Sequence, residues 1–381
     1  MNTIKPSICL SETSKNALRG IFRGAFLTTL AALSATIPAG AQDHDFITVV
    51  SWGGSYARAS VKAHHERFEQ ETGIQIKLDE YNGGLAQIRA QAETGNVSWD
   101  VVDMQAGDTL LGCDEGLLET VDEDTLPAAP DGTPAAADFL DVYDVECGAK
   151  SLVYSTVYAY HDDRFPEHKP TTMADFFDLD KFPGRRGMRR APNANLEFAL
   201  VADGVPASQV YEVLSDAEGV ARALRKLDSI KDQVVWWEAG AQPPQMLADG
   251  EVVMSTAYNG RIFNAWALEG QPLTIVWDGQ VQAITYQVIV AGTSKLELAR
   301  QFVAFATATR SLANITRYIS YGPLRHSSIA LVDKHEETGV AMGPHMPNAA
   351  QNIANAVHED PDWWADNQDE MNERFAAWLI K

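Results

Sequence analysis

The stretch from residue 46 to residue 104 alternates strand-like runs with helical segments, and this alternation constrains the fold most. The runs "FITVV" (46–50), "IQIKLDEY" (74–81) and "WDVVDM" (99–104) are typical of strands. Between them, "ARASVKAHHERFEQETG" and "GLAQIRAQAETG" have helical periodicity, and each ends at a glycine. A β-α-β-α-β order favours a parallel sheet with helices on its faces. The sequence therefore predicts an α/β fold.

Strand-like and helical segments continue to alternate through the rest of the chain. The runs "KSLVYSTVYAYH" (150–161) and "QAITYQVIVAG" (282–292) are typical of strands, and "KLELARQFVAFATA" (295–308) is strongly amphipathic. No internal repeat, low-complexity tract or long linker is visible in the sequence. This pattern indicates two α/β lobes that the chain crosses more than once.

Residues 1–41 are predicted to be a secretory signal peptide rather than part of the fold. Lys15, Arg19 and Arg23 precede the apolar run "AFLTTLAALSATIPAG", and an A-G-A cleavage signature ends at Ala41. The alternative is a membrane anchor, but the apolar run is shorter than the roughly 20 residues that a span needs. We therefore expect a periplasmic protein.

The net charge argues against a nucleic-acid partner, and the cysteine content predicts a disulfide. The chain carries a net charge of −22, so it repels nucleic acid and anionic lipid, and we expect no nucleic-acid partner. After signal cleavage Cys113 and Cys147 remain, an even pair in an oxidising compartment, which predicts a disulfide. Closing a loop of this size contributes about 4 kcal/mol in the chain-entropy model. Two free thiols in a reactive site are the alternative.

Sequence signatures of common enzymes are absent. The chain has no G-x-S-x-G elbow, phosphate-binding loop, dinucleotide fingerprint or H-E-x-x-H motif. His64 and His65 are adjacent, so they point in different directions around a helix and cannot easily share a metal ion. We expect both on a solvated helix face. The sequence thus favours a protein that is not an enzyme and holds no metal or cofactor.

Two segments that follow strands supply the first candidate site residues. In open α/β sheets, ligands bind beyond the carboxyl ends of the strands. In "SWGGSY", Trp52 is placed to cover a ligand there, or else packs under the loop, and Ser55 is placed to cap the next helix. After the third strand, Asp103 and Gln105 are expected to face the same crevice.

The segment "VVWWEAG" places Trp236, Trp237 and Glu238 side by side. Aromatic faces attract cations, and a carboxylate adds a charge-assisted hydrogen bond to an ammonium group. Adjacent strand residues face opposite ways, so only one of the two indoles is expected to meet the ligand. The alternative is one indole in the core and a solvated Glu238.

The segment "TAYNGRIF" contributes a tyrosine and an arginine. Tyr258 is expected to point into the crevice, and Arg261 lies at a helix start, where the helix dipole disfavours a cation. A guanidinium there suits a bidentate grip on a carboxylate. Arg189 and Arg190 could act similarly, although a basic pair on a loop is more typical of solvent-exposed residues. Tyr318 and Tyr321 raise the alternative of a ferric phenolate site.

Taken in order, these motifs resemble the spermidine/putrescine-binding group of periplasmic solute-binding proteins of ABC importers. The resemblance rests on "ITVVSWGGSY", "WDVVDM", "FPGRRGM", "MLADGEVVMSTAYNGRIF", "TIVWDG" and "ISYGPLRHSS", and it covers nearly all of the mature chain. It implies a type II periplasmic binding protein with two lobes, a hinge and a cleft. Such a protein closes on its ligand and docks, as a monomer, on a membrane permease. The implied boundaries are 42–153 with 280–325 for lobe 1, 154–279 for lobe 2, and 326–381 for a C-terminal helical segment that packs on the lobes.

The resemblance also implies a cleft of aromatic and acidic residues that hold amines. Trp52 and Tyr258 match its aromatic positions, whereas Tyr286 stands where polyamine binders place an aspartate. The family implies a polyamine such as putrescine or spermidine, but this departure weighs against a long diamine or triamine. One carboxylate, Glu238 or Asp103, together with Arg261 would suit a zwitterionic ω-amino acid such as GABA. Ferric ion and thiamine are alternatives within the same fold. A secreted carbohydrate-active enzyme is the alternative from another class.

Overall fold

A single mixed sheet of ten strands organises the molecule. The computed structural model describes residues 45–381, so the predicted signal peptide lies outside the described residues. The strand order is β2-β1-β3-β8-β4-β7-β5-β6, with β9 beside β4 and β10 beside β8. The strands are β1 (Phe46–Ser51), β2 (Gln75–Glu80), β3 (Val101–Gln105), β4 (Gly148–His161), β5 (Arg186–Arg189), β6 (Val234–Trp237), β7 (Met254–Tyr258), β8 (Leu273–Ile289), β9 (Gly322–Pro323) and β10 (Val357–His358).

Fifteen α-helices lie among these strands in the described part of the chain. They are α1 (Gly54–Ser60), α2 (Glu66–Thr72), α3 (Ala86–Thr94), α4 (Ala106–Asp114), α5 (Ala135–Asp138), α6 (Met173–Phe177), α7 (Asn195–Ala202), α8 (Val210–Leu214), α9 (Ala217–Asp228), α10 (Gln242–Ala248), α11 (Asn259–Ala267), α12 (Leu296–Ala306), α13 (Thr309–Ile315), α14 (His326–Ile329) and α15 (Pro361–Leu379).

The predicted α/β class and the parallel start of the sheet are confirmed. Strand β1 pairs in parallel with both β2 and β3, and helices connect all three, as the β-α-β-α-β pattern predicts. At the other end of the sheet β5 pairs in parallel with β6 and β7. The two parallel groups are joined by antiparallel pairings of β8 with β3 and of β4 with β7.

Strands β4 and β8 cross from one parallel group to the other. They have 14 and 17 residues and pair antiparallel with each other along most of their length. Their register shifts between Thr156 and Tyr158, opposite a segment of β8 that contains Gly279 at a φ of 70°. A positive φ is readily adopted only by glycine, so this residue allows the local bend in the strand pair.

The first helical region runs from Gly54 to Thr72, with a π-helical turn at Val61–His65 between α1 and α2. The prediction that Ser55 caps this helix is wrong. The N-cap is Gly53, two residues earlier, and no side chain caps the first turn. Gly53 has a φ of 63°, so the glycine backbone makes the sharp turn from strand to helix without a capping side chain.

The expectation that His64 and His65 lie on a solvated face is also wrong. Both are buried, with 6% and 4% of their surfaces exposed, and both rings pack near Phe302 of α12. Burial lowers the pKa of His65 to about 3 and also lowers that of His64, so both imidazoles are neutral at pH 7.

The predicted disulfide is confirmed. Cys113 at the end of α4 is bonded to Cys147, which directly precedes β4. The bond ties the helix after β3 to the start of the long strand β4. Among the described residues, no helix is both long enough and apolar enough to cross a membrane.

Helix α15 connects the core of one parallel group with a helix of the other. Phe375 and Trp378 pack around Trp236 of β6, with ring centroids 5.7 and 5.9 Å apart. Nearer its N-terminus α15 contacts α4, where a Cβ on Gly107 would lie only 3.2 Å from the Cβ of Trp364. The small glycine thus permits the close approach of these two helices.

Candidate functional site

A cavity lies just beyond the carboxyl ends of β1, β3 and β7. This is the position that the general rule for ligand sites in open α/β sheets predicts. The empty space between its walls is about 350 Å³ and is partly open to solvent. Its walls are formed by Trp52, Tyr56, Gln105, Leu152, Tyr154, Tyr258, Arg261, Thr285 and Tyr321.

Tyrosine rings form most of the cavity wall. Tyr154 lies between Tyr258 and Tyr321, with ring centroids 5.5 and 5.8 Å away, and Tyr56 lies 5.6 Å from Tyr321. Burial raises the pKa values of Tyr56, Tyr154 and Tyr321, so their phenols stay neutral at physiological pH. Neutral rings with accessible faces attract cations through their quadrupoles, most strongly where water is excluded.

Arg261, in the first turn of α11, supplies a positive charge to this wall. One terminal nitrogen donates to the carbonyl oxygen of Trp52 at 2.7 Å, and the other donates to that of Gly53 at 3.1 Å. The Nε–H of this buried side chain has no partner among the described residues. A buried, unused donor on a guanidinium lacks the partner that a carboxylate could supply.

The approach of Arg261 requires glycine at position 54. A Cβ there would lie 2.5 Å from Nη1 of Arg261, and the φ of Gly54 is 58°. Both the space and the backbone conformation therefore exclude larger residues without rearrangement. The two glycines that make the turn after β1 also admit the arginine.

Asp103 lies behind the aromatic wall rather than in it. Its Oδ1 accepts a hydrogen bond from Nε1 of Trp52 at 2.7 Å. Its Oδ2 accepts from the hydroxyl of Tyr56 at 2.5 Å and from the amide of Gln287 at 2.7 Å. Burial raises the pKa of Asp103 to about 6, although the hydrogen bonds from Tyr56 and Trp52 lower it.

The tandem tryptophans face opposite ways, as strand geometry predicts, and neither lines the cavity. Trp237 is 1% exposed and packs edge-on against Tyr258 at 5.8 Å, so it supports the cavity wall from behind. Trp236 points to the other side, against α15. Glu238 is at the surface, with 67% of its side chain exposed, and forms an ion pair with Arg190 at 3.3 Å.

The remaining sequence candidates lie away from the cavity lining. Ser55 is in the first turn of α1. Tyr286 of β8 is buried in the core, where its hydroxyl donates to the carbonyl oxygen of Tyr143. The structure therefore brings together Trp52, Tyr258 and Arg261, with Asp103 and Trp237 directly behind them. Trp236, Glu238, Ser55 and Tyr286 are not part of that group.

Sequence reasoning missed four of the residues that line the cavity. Tyr56 follows Trp52 by one helical turn, and this spacing is the signal that could have identified it. Leu152, Tyr154 and Thr285 lie in the interiors of β4 and β8, away from any strand end. Nothing in their local sequence separates them from core residues. Within residues 45–381, no group of three or more His, Cys, Asp or Glu side chains is arranged to hold a metal ion.

Comparison with protein families gives a match over most of the chain. Residues 63–348 match the family model described as bacterial extracellular solute-binding protein. A gamma-aminobutyric acid-binding protein of Pseudomonas aeruginosa is 41% identical over 335 residues, which cover 88% of this chain and 91% of that relative.

Solved structures with a similar fold cover the same part of the chain. The crystal structure of the periplasmic binding protein MotA from A. tumefaciens B6 in complex with glucopine has a TM-score of 0.79 and 27% identity, covering 87% of this chain and 99% of that one. A structure described as a GABA receptor has a TM-score of 0.74 and 29% identity, covering 88% of this chain and 98% of that one.

Proposed function

This chain belongs to the family of bacterial extracellular solute-binding proteins, and from that premise we propose that it captures a small zwitterionic ω-amino acid of the γ-aminobutyrate type. The predicted type II, two-lobe architecture is confirmed by its structural neighbours. Support for the ligand comes first from the relatives, since one is named a gamma-aminobutyric acid-binding protein and another a GABA receptor.

The charge distribution in the cavity supports an amino acid over a diamine. Arg261 offers a buried guanidinium with an unused Nε–H, which suits a carboxylate. The neutral rings opposite suit an ammonium group. An ω-amino acid satisfies both ends, whereas putrescine would bring a second cation towards Arg261 with no carboxylate to pair with it. The single observation that carries the proposal is a buried arginine within an aromatic cavity.

Lobe closure provides the mechanism of capture. We assign residues 42–153 and 280–325 to lobe 1, residues 154–279 to lobe 2, and residues 326–381 to a C-terminal segment that packs on both. Arg261 of lobe 2 then contacts the backbone of Trp52 in lobe 1, so a ligand held by both sides favours the closed state. Bending in β4 and β8, near the register shift at Thr156, would allow the lobes to separate.

The protein then acts as the binding component of an ABC importer. Residues 1–41 direct export to the periplasm, where the closed, monomeric protein delivers its ligand to an inner-membrane permease. No covalent chemistry is required of the binding site, in keeping with a transport family rather than an enzyme family. Catalysis is therefore not part of the proposal.

Isothermal titration of the mature chain, residues 42–381, tests the ligand directly. GABA is expected to bind, and putrescine, spermidine, thiamine and ferric ion are expected not to. At 100 times its dissociation constant, GABA should stabilise the fold by about 2.7 kcal/mol, which a thermal-shift assay detects. Binding of putrescine or spermidine without binding of GABA would show instead a polyamine carrier.

A further inference from the structure

We propose that Asp103 is a positioning residue for ligand capture, whose carboxylate fixes the Trp52 indole and the Tyr56 phenol in the cavity wall without contacting the ligand. The inference rests on the proposed function and deepens it. It assigns Asp103 of β3 to the support of the wall from behind and leaves Arg261 as the charged group that meets the ligand.

Both oxygens of Asp103 are engaged by protein donors. Oδ1 receives the indole N–H of Trp52, and Oδ2 receives the hydroxyl of Tyr56 and the amide of Gln287. The residue is 2% exposed and is not among those that line the cavity. The geometry therefore favours an indirect role.

The three residues lie on three different elements. Trp52 is in the loop after β1, Tyr56 is in α1, and Asp103 is in β3. A single anion that accepts from both rings fixes their directions, since each ring has only one polar N–H or O–H to satisfy. Donation to an anion also increases the electron density of a ring, which strengthens its attraction for a cation. One carboxylate thus sets the direction and raises the electron density of two rings in the wall.

The surroundings of Asp103 predict a simple titration. The titratable groups that face it are Tyr56, Tyr81 and Tyr321, and burial raises the pKa of each, so these phenols stay neutral below pH 8. The positive charge of Arg261 acts on Tyr321 from the same cavity wall. Because the pKa of Asp103 is raised to about 6, its carboxylate gains a proton as the pH falls through that value. The protonated acid accepts more weakly, so both rings lose part of their restraint.

Binding measurements with a matched control test this role. Asp103→Asn is expected to raise the dissociation constant for GABA at least tenfold at pH 7.5 and to remove its dependence on pH between 5 and 7. Asp100→Asn is the control, since Asp100 is also 2% exposed, directly precedes the same strand, and accepts hydrogen bonds from Thr48 and Lys295 away from the cavity. It should lower the melting temperature but change the affinity less than twofold.

The NMR signal of the Trp52 indole, recorded without ligand, tests the role of Asp103 whichever ligand the protein binds. The indole N–H resonance of Trp52, assigned by its absence in Trp52→Phe, should shift with a midpoint near pH 6 in the wild type and in Asp100→Asn. It should not shift in Asp103→Asn. A resonance that does not titrate in the wild type, or equal affinity of wild type and Asp103→Asn, would overturn the role. If the wild type fails to bind GABA, the proposed function fails, and the titration alone decides the role of Asp103.

Discussion

The guanidinium of Arg261 donates a hydrogen bond of 2.7 Å to the carbonyl oxygen of Trp52, a residue 209 positions earlier in the sequence. This contact joins the start of α11 to the loop that follows β1. It orients the arginine so that two of its nitrogens bind the backbone while Nε remains unpaired in the cavity wall. Holding the arginine in this orientation therefore requires the planar, forked guanidinium and not only its positive charge.

Arg261→Lys tests this need, because lysine keeps the charge but lacks the fork. We expect the dissociation constant for GABA to rise at least tenfold, in line with the about 1.5–3 kcal/mol that a hydrogen bond to a charged group contributes. Arg222→Lys serves as the control, since Arg222 makes a similar two-nitrogen contact with Asp203 at the surface. Isothermal titration measures both variants, and a change of less than twofold in Arg261→Lys would contradict the role.

Glu238→Gln is expected to change the affinity less than twofold. The carboxylate is largely exposed and pairs with Arg190 on the surface, and such pairs contribute about 0–1 kcal/mol. The same titration detects the effect. A loss of more than tenfold would instead place Glu238 in the binding site, as the sequence alone predicts.

The contact between α15 and α4 offers a test of lobe closure. Gln368 of α15 donates to Oδ1 of Asp108 in α4 at 2.7 Å, so Gln368→Glu sets two carboxylates against each other. If α15 moves with lobe 2, this repulsion opposes closure, and we expect the dissociation constant for GABA to rise roughly fivefold.

Gln245→Glu is a matched control for that variant. Gln245 donates to Asp249 at 2.8 Å within the proposed lobe 2, so the same charge change leaves the contact between α15 and α4 intact. Its affinity should stay within twofold of the wild type. Unchanged affinity in Gln368→Glu as well would indicate that α15 and α4 move together.

The buried histidines predict a loss of stability in acid. The pKa of His65 falls to about 3 on folding, whereas in the unfolded chain it lies near 6.5. The unfolded state therefore binds the extra proton between these values, and stability falls as the pH drops below about 6.5. For His65 alone, the free energy of unfolding should be about 2 kcal/mol lower at pH 5 than at pH 8.

Urea unfolding of His65→Phe at pH 5 and pH 8 measures this contribution. The variant keeps an aromatic ring against Phe302 but cannot take up a proton, so its stability should vary less with pH than that of the wild type. His168→Phe, at an exposed position, should follow the wild type. Parallel pH profiles for wild type and His65→Phe would contradict the assignment.

The sequence predicts cavity residues correctly where they lie at the end of a strand. Trp52 and Tyr258 directly follow or end a strand, so the rule for open sheets located them without knowledge of the partner strands. Tyr154 lies in the middle of β4, pairs with Ala283 of β8, and lines the cavity where its ring meets those of Tyr258 and Tyr321. Such long-range pairings are not encoded in local periodicity.

Tertiary contacts also decided the positions that sequence reasoning left open or misplaced. The choice between the tandem indoles depends on α15, which follows them by more than a hundred residues in the sequence and covers Trp236. The burial of His64 and His65 depends on α12, whose Phe302 packs against them. Each case required a surface that a short window of sequence does not contain.

Because β4 and β8 each contribute to both parallel groups, neither half of the sheet is complete without the other. Met104 in β3 pairs with Tyr286 in β8, so the first-synthesised half keeps an open edge until β8 has emerged from the ribosome. Such non-local pairing slows folding and couples the two halves into one cooperative unit. Thermal melting of the whole chain should therefore proceed in a single transition, and either half expressed alone should aggregate through its exposed strand edge.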